Sequence, residues 1–363
     1  MKQVHFYMPA GEINPLGNGA SKRSAQINDL LSANFNLKNV NKISGTFFPR
    51  FKRYSNALSV CIRHQIPINT FREFSELGHH YLNCKKTTGD YKNNKGCFFW
   101  ESTTNNYYYK PNFFKEFGFK LIAFPHNLES LVPGQSSPFS KLQSPDWLQE
   151  ELDQLKLCDH VFTISEEEQW FLSLNNIKST YYPYFPTQIQ YNNLLKIRIE
   201  RQKLDQGGFY LMFGSFFYQP IGTGLLQILK PLNTTDSQII ISGFGSENII
   251  GSIDFKLNSN IKIIGSTSTT ELNDLLVRCK GVIVNQSGSS GALTKLKELQ
   301  IAGVPVILNS ESTRSFKNIH GFHVFHDFEE LKVLLNKNLS MPDLPEANSF
   351  YENRVIEIIN SLQ

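Results

Sequence analysis

The stretch Ser287-Gly-Ser-Ser-Gly-Ala-Leu-Thr-Lys-Leu-Lys-Glu-Leu-Gln-Ile-Ala-Gly-Val-Pro-Val306 decides the fold. The apolar run Gly281–Val284 stands just ahead of it and reads as a strand. A glycine-rich turn then opens an amphipathic helix, predicted over 293–302, and a second apolar run follows at 304–308. Strand, turn, helix and strand form the repeating unit of a parallel sheet covered by helices. The first turn of such a helix carries unbonded amides and the positive end of the helix dipole, so it is suited to an anion. Lys295 sits about one turn in and adds a full charge. Glu298 follows three residues later on the same face, where a carboxylate can accept hydrogen bonds from a ribose. Gly288, Gly291, Ala292, Leu293 and Thr294 complete the expected cradle.

The same alternation extends along the chain. Apolar runs at 3–8, 96–100, 120–124, 160–164, 209–213, 238–241 and 261–264 predict further strands, most of them unbroken as in strands buried on both faces. Helical patterns fall at 20–34, 146–157, 269–279 and 347–362. Pro183, Pro186, a polar helix-like stretch over 189–206 and Gly207-Gly208 mark a boundary between two doubly wound halves. In the second half, successive strands run into Gly214-Ser215, Ser242-Gly243, Gly265-Ser266 and the turn at 285–291. Glycine lets a backbone approach a ligand and leaves its amide accessible. Open sheets bind ligands beyond the carboxyl ends of their strands, so four such turns on one edge predict a nucleotide cleft.

The segment resembles the donor-site signature of GT-B glycosyltransferases, G-x-x-x-K-x-x-E-x-x-x-x-G-x-P-V/I, with Gly291, Lys295, Glu298, Gly303, Pro305 and Val306 in its places. Residues 213–220 are similar to the first strand and loop of that family's donor domain. Residues 159–166 resemble the segment closing its acceptor domain, and Gly17-Asn18-Gly19-Ala20-Ser21-Lys22-Arg23 resembles its N-terminal glycine loop. The resemblance implies an α/β GT-B fold, with two Rossmann-like doubly wound domains facing across a cleft. Residues 1–186 would form the acceptor-side domain and 187–345 the nucleotide-sugar donor domain, with 346–363 a helix crossing back. It implies a glycosyltransferase of the large retaining group typified by bacterial mannosyltransferases and sucrose-phosphate synthases, in which the lysine contacts the diphosphate and the glutamate holds the ribose. The chain departs from that group in two places. Ser290 stands where a first glutamate usually contacts the sugar, and Ser215 and Phe216 replace the usual Arg and Lys after the first donor-domain strand. No D-x-D motif occurs, which fits donor binding without a metal or other cofactor.

In the first half, the strand over 120–124 runs into Pro125-His126-Asn127-Leu128-Glu129. His126 can exchange a proton near neutral pH or bond a sugar hydroxyl, and Glu129 can stabilise charge on a reacting sugar. Glu101 ends the strand before it and is a further acceptor-side candidate, with Tyr108 and Lys110 from an aromatic and basic stretch. That stretch also reads as core, above all at Phe98, Trp100, Phe114 and Phe124. His79, His80, Cys84 and Cys97 lack a paired zinc-ligand spacing. If the sugar inverts, His126, Glu129 and Glu12 compete as base; if it is retained, the leaving diphosphate takes the acceptor proton.

Charge and cysteine usage bound the rest. Of the 363 residues, positions 1–145 hold 18 Lys/Arg against 8 Asp/Glu, a local +10, while positions 187–363 hold 16 of each. The overall +4 is too mild for a nucleic-acid binder, so the basic half points to an anionic glycan or lipid-linked acceptor, or to peripheral membrane contact. Five scattered cysteines read as reduced thiols of a cytoplasmic protein, and no apolar run approaches a membrane span. Two rival readings remain: a sugar-nucleotide epimerase or hydrolase on the same scaffold, and a non-catalytic nucleotide- or glycan-binding protein.

Overall fold

The computed structural model describes residues 3–40, 48–89, 96–103, 109–204, 208–288, 291–316 and 318–363. Among these, the first part of the chain runs β1 (Val4–Met8), α1 (Gly19–Asn34), β2 (Asn36–Asn39), α2 (Arg50–His64), α3 (Phe71–Gly89), β3 (Cys97–Trp100), α4 (Lys110–Glu116), β4 (Lys120–Ala123), α5 (Leu148–Lys156), β5 (His160–Thr163), α6 (Glu166–Leu174) and β6 (Ser179–Tyr181). The rest runs α7 (Gln188–Lys203), β7 (Phe209–Phe213), α8 (Gln219–Leu232), β8 (Gln238–Ser242), β9 (Ile261–Ile263), α9 (Thr269–Arg278), β10 (Gly281–Val284), α10 (Thr294–Ile301), β11 (Val306–Asn309), β12 (Phe322–Phe325), α11 (Phe328–Leu335) and α12 (Ser349–Ser361). The chain divides into two compact units, Met1–Pro183 with Asn348–Gln363, and Tyr184–Ala347.

The first unit holds a six-stranded parallel sheet in the order β2-β1-β3-β4-β5-β6. Strand alternation sorts its core onto two faces. Phe6, Met8, Phe98, Trp100 and Leu121 pack with Phe113 and Phe114 of α4 and Leu77 of α3. Tyr7, Phe99, Ile122 and Phe162 pack with Ile27 and Leu31 of α1 and with Val355 and Ile359 of α12. The four aromatics read as core, Phe98, Trp100, Phe114 and Phe124, are all buried. The sequence pattern missed β2 and β6, and both are edge strands. An edge strand packs less apolar surface, so Asn36-Leu37-Lys38-Asn39 carries almost no hydrophobic signal.

The second unit holds a parallel sheet in the order β12-β11-β10-β7-β8-β9. Counted along this unit, that is the doubly wound order in which the chain reverses direction between its first and fourth strands, β7 and β10. Tyr210, Met212, Ile283 and Ile307 face α8 and α11, while Leu211, Val282, Val284 and Val306 face α7, α9 and α10. The strand expected over 304–308 begins later, at Val306. The Val304 amide bonds back to Leu299 at the end of α10, and Pro305 has no amide to give the ladder.

Candidate functional site

The crevice of a doubly wound sheet opens where neighbouring strands send their connections in opposite directions. In the second unit this is the carboxyl end of β7 and β10, and the loops after both carry the singled-out residues. Lys295, in the first turn of α10, reaches the end of β7. Its Nζ lies 3.4 Å from the Phe213 carbonyl oxygen and 5.7 Å from the centre of the Phe213 ring. Burial pushes its ammonium down to about 8. No carboxylate contributes to that shift, so the charge is held near the strand ends by a carbonyl and an aromatic face. Leu293 stands at the N-cap of α10, where no side chain caps the helix. The start of α10 and the Lys295 ammonium thus place positive potential together.

Glu298 lies one turn further on and is buried; its Oε1 accepts a hydrogen bond of 2.9 Å from the Tyr184 hydroxyl. Tyr184 was not anticipated. It sits between Pro183 and Pro186 in a segment that reads only as a boundary.

The glycine turns play a different part from the one expected. The Gly214 amide donates to Ser242, Phe216 to Phe244 and Gly243 to Gly265, so the loops after β7, β8 and β9 are laced to one another. The amides of Gly214 and Gly243 are therefore not available to a ligand. A Cβ on Gly243 would stand 2.0 Å from the Gly214 oxygen, at a φ of +131°. Gly243→Ala is expected to cost about 2 kcal/mol or more, from strain at a special backbone conformation and an unrelieved backbone clash. Equilibrium unfolding in urea measures this. Gly265 also holds a positive φ, of +71°, and Ser215 and Ser266 are exposed beside these turns. The Gly288 amide likewise has a partner already, the Glu311 carboxylate at 2.6 Å. Gly291, with φ +73°, and Ala292 lead into the N-cap.

In the first unit, His126 follows β4 and is buried, with its Nε2 3.0 Å from Glu101 Oε2. Glu101 follows β3 and is completely buried. Besides His126 it accepts from the Tyr7 hydroxyl, from the Ser24 hydroxyl at 2.6 Å and from the Ala10 amide at 2.6 Å. Burial alone would raise its carboxyl, but the His126 charge and the bonds from His126, Ser24 and Tyr7 outweigh burial and hold it below the usual range. The loop carrying His126 is pinned by two more buried acids. Glu151 of α5 accepts from the amides of Glu129 and Ser130 and from the Ser130 hydroxyl, and Glu168 of α6 accepts from the Leu128 amide. Neither acid was singled out, because each reads as an ordinary charge on an amphipathic helix.

Several expected roles change. Glu129 is buried, and burial, then the nearby Glu151, push its carboxyl up to about 8. A raised carboxyl favours the protonated form, so the burial of Glu129 works against the charge-stabilising role expected for it and suits proton donation. Lys110 is buried at the start of α4, and burial pushes its ammonium down, so it offers no exposed acceptor contact. Tyr108 lies outside the described residues. Gly17 stands where a Cβ would come within 2.8 Å of Ser21 Cβ, and Gly19 is the first residue of α1, whose N-cap is Asn18. Arg23, also in that loop motif, is buried and donates to the carbonyls of Tyr182 and Pro183. Among the described residues no group of three His, Cys, Asp or Glu side chains is arranged to hold a metal ion.

No protein-family model matches the chain, and no curated protein matches it in sequence. Solved structures do match. HepE of Anabaena in complex with UDP superposes with a TM-score of 0.60 at 12% identity, over 99% of this chain and 100% of that one. Sucrose-phosphate synthase of Thermosynechococcus elongatus gives 0.60 at 12% identity, over 99% and 95%. α,α-Trehalose 6-phosphate synthase of Burkholderia multivorans gives 0.59 at 12% identity, over 100% and 99%. At this identity the likeness is one of fold. The two parallel sheets with their covering helices are those of GT-B glycosyltransferase structures, as the sequence motif implied.

Proposed function

We propose that the chain is a glycosyltransferase that moves a sugar from a nucleoside-diphosphate sugar to a hydroxyl of a glycan or lipid-linked acceptor, in the synthesis of a cell-surface polysaccharide. The observation that carries this reading is Lys295. A partly buried ammonium stands at the carboxyl ends of the switch-point strands, beside an uncapped helix N-terminus. That combination suits a diphosphate. Glu298, oriented by Tyr184, is assigned to the ribose. HepE was solved with UDP, which makes uridine diphosphate the first nucleotide to test.

In this reading Lys295 and the first amides of α10 stabilise the charge that develops on the leaving diphosphate as the bond from its oxygen to the anomeric carbon breaks. The acceptor oxygen forms the new bond to that carbon, and its proton passes to the departing diphosphate. The sugar's configuration is then retained, and no metal enters the scheme. His126, fixed by Glu101, is assigned to a sugar hydroxyl. The thiols of Cys61, Cys84, Cys97, Cys158 and Cys279 are free, which supports a reducing cytoplasmic setting. No helix among the described residues is long and apolar enough to cross a membrane.

Turnover of the donor sugar, by transfer or slow hydrolysis, tests the assignment of His126. His126→Ala is expected to leave nucleotide affinity unchanged and to lower turnover about tenfold or more. Unchanged turnover removes His126 from the mechanism.

A further inference from the structure

From Leu30 to Arg72 the chain holds seven Lys/Arg and no Asp or Glu. Helix α2 lies within this acid-free stretch. Its inner face is fixed by packing: Ala57 and Val60 are buried, and Gly78 of α3 admits the Arg53 carbonyl to 2.0 Å from where a Cβ would stand. Its outer face is therefore also fixed, and it carries an apolar stripe among polar residues. Phe51, Leu58 and Ile62 are 82%, 56% and 70% exposed, and with Ser55 they follow the i, i+4, i+7, i+11 spacing of a single helical stripe. Phe71 is 69% exposed and continues the apolar surface, its ring 5.3 Å from that of Tyr54.

Cations border this stripe. Arg50 and Lys52 are exposed at its start, and among the described residues neither has an acidic partner. Arg63, at the far end, is paired with Glu116 at 2.5 Å, so its charge is offset. An apolar strip edged by unpaired cations on a helix lying flat on its domain is the pattern of an interfacial membrane contact. Two copies of this face would bring cations against cations, and a polyanion without a hydrocarbon phase would leave the apolar tips in water.

We propose that the outer face of α2 docks the protein on an anionic lipid bilayer, with Phe51, Leu58 and Ile62 inserted among the acyl chains and Arg50 and Lys52 at the phosphate level. This deepens the reading in which the basic first half meets a lipid-linked acceptor, and it gives part of the +10 charge a definite face.

The test is flotation of the full-length protein with vesicles of phosphatidylcholine, alone or mixed with phosphatidylglycerol. Wild type is expected to float with the anionic vesicles and not with the neutral ones. The variant Phe51→Ser/Leu58→Ser/Ile62→Ser is expected to stay in solution with an unchanged melting temperature, since these side chains already face water. Arg50→Glu/Lys52→Glu is expected to weaken binding at least about 25-fold at low salt, roughly fivefold for each cation lost with the added acids weakening it further, and the difference shrinks as salt rises. Wild type that ignores anionic vesicles, or a triple-serine variant that floats as well as wild type, overturns the proposal. So does a wild-type dimer that the triple variant makes monomeric in sedimentation velocity, because the face then serves self-association. These vesicles carry no nucleotide or acceptor, so failure here leaves the nucleotide site at Lys295 standing.

Discussion

Lys295→Ala is expected to weaken nucleoside-diphosphate binding about 10- to 100-fold, the range of a charge-assisted hydrogen bond to phosphate. The size follows from the surroundings. Ser215 and Phe216, which follow β7, carry no charge, so in the proposed site Lys295 would supply much of the positive charge facing a diphosphate. The pH dependence follows from its ammonium, which burial pushes down to about 8. Below that pH Lys295 is charged and binds the diphosphate. As pH rises through 8 it loses its proton, so wild-type affinity falls, while the affinity of Lys295→Ala stays flat over the same window. Stability moves the other way. Between about 8 and the ordinary lysine value the unfolded chain binds a proton that the folded chain does not, so folding stability rises with pH there. Lys295→Met removes the cost of a buried charge and is expected to stabilise the ligand-free protein at pH 7 by about 1–3 kcal/mol. A residue that costs stability alone and restores it with nucleotide behaves as a binding group. Titration calorimetry across pH, with thermal melts of the three proteins, measures all of this.

Glu101→Ala is expected to destabilise the first unit by about 3–5 kcal/mol, the cost of removing one member of a buried, fully engaged charge network. Four donors lose their acceptor together: the Tyr7 hydroxyl, the Ser24 hydroxyl, the Ala10 amide and His126 Nε2. Glu101→Gln keeps the shape and part of the bonding, so it is expected to cost less and to serve as the control for packing. The carboxyl is held below its usual value, so its stabilising contribution is complete above the unfolded value near 4.5 and is lost as pH falls through the lower folded value. Urea midpoints for wild type and Glu101→Gln are therefore expected to converge as the solution is acidified. Midpoints that differ equally at every pH would contradict the charge network.

The sequence made the frame of the fold legible because buried parallel strands are apolar on both faces. The runs at β7, β8 and β10 could hardly read as anything else, and Lys295 and Glu298 stood out beside a glycine turn. The edge strands β2 and β6 stayed hidden for want of apolar residues, and the buried polar network for another reason: interactions between residues far apart in sequence leave no local pattern. Glu101, His126, Tyr7 and Ser24 come together only when β1, α1, β3 and β4 assemble. Glu151 and Glu168 bond loop amides across 21 to 40 positions. The glycines misled in one respect. Gly243 is required by the close approach of its loop to the Gly214 carbonyl, and that need looks the same in sequence as an open anion cradle.

The most direct measurement is titration of the wild-type protein and Lys295→Ala with uridine, guanosine, adenosine and other nucleoside diphosphates, followed by thermal shift and calorimetry. At least one nucleotide is predicted to raise the melting temperature of wild type and to bind Lys295→Ala at least tenfold more weakly. Binding of equal strength by the variant, or no shift with any nucleotide, would contradict a diphosphate site at the carboxyl ends of β7 and β10.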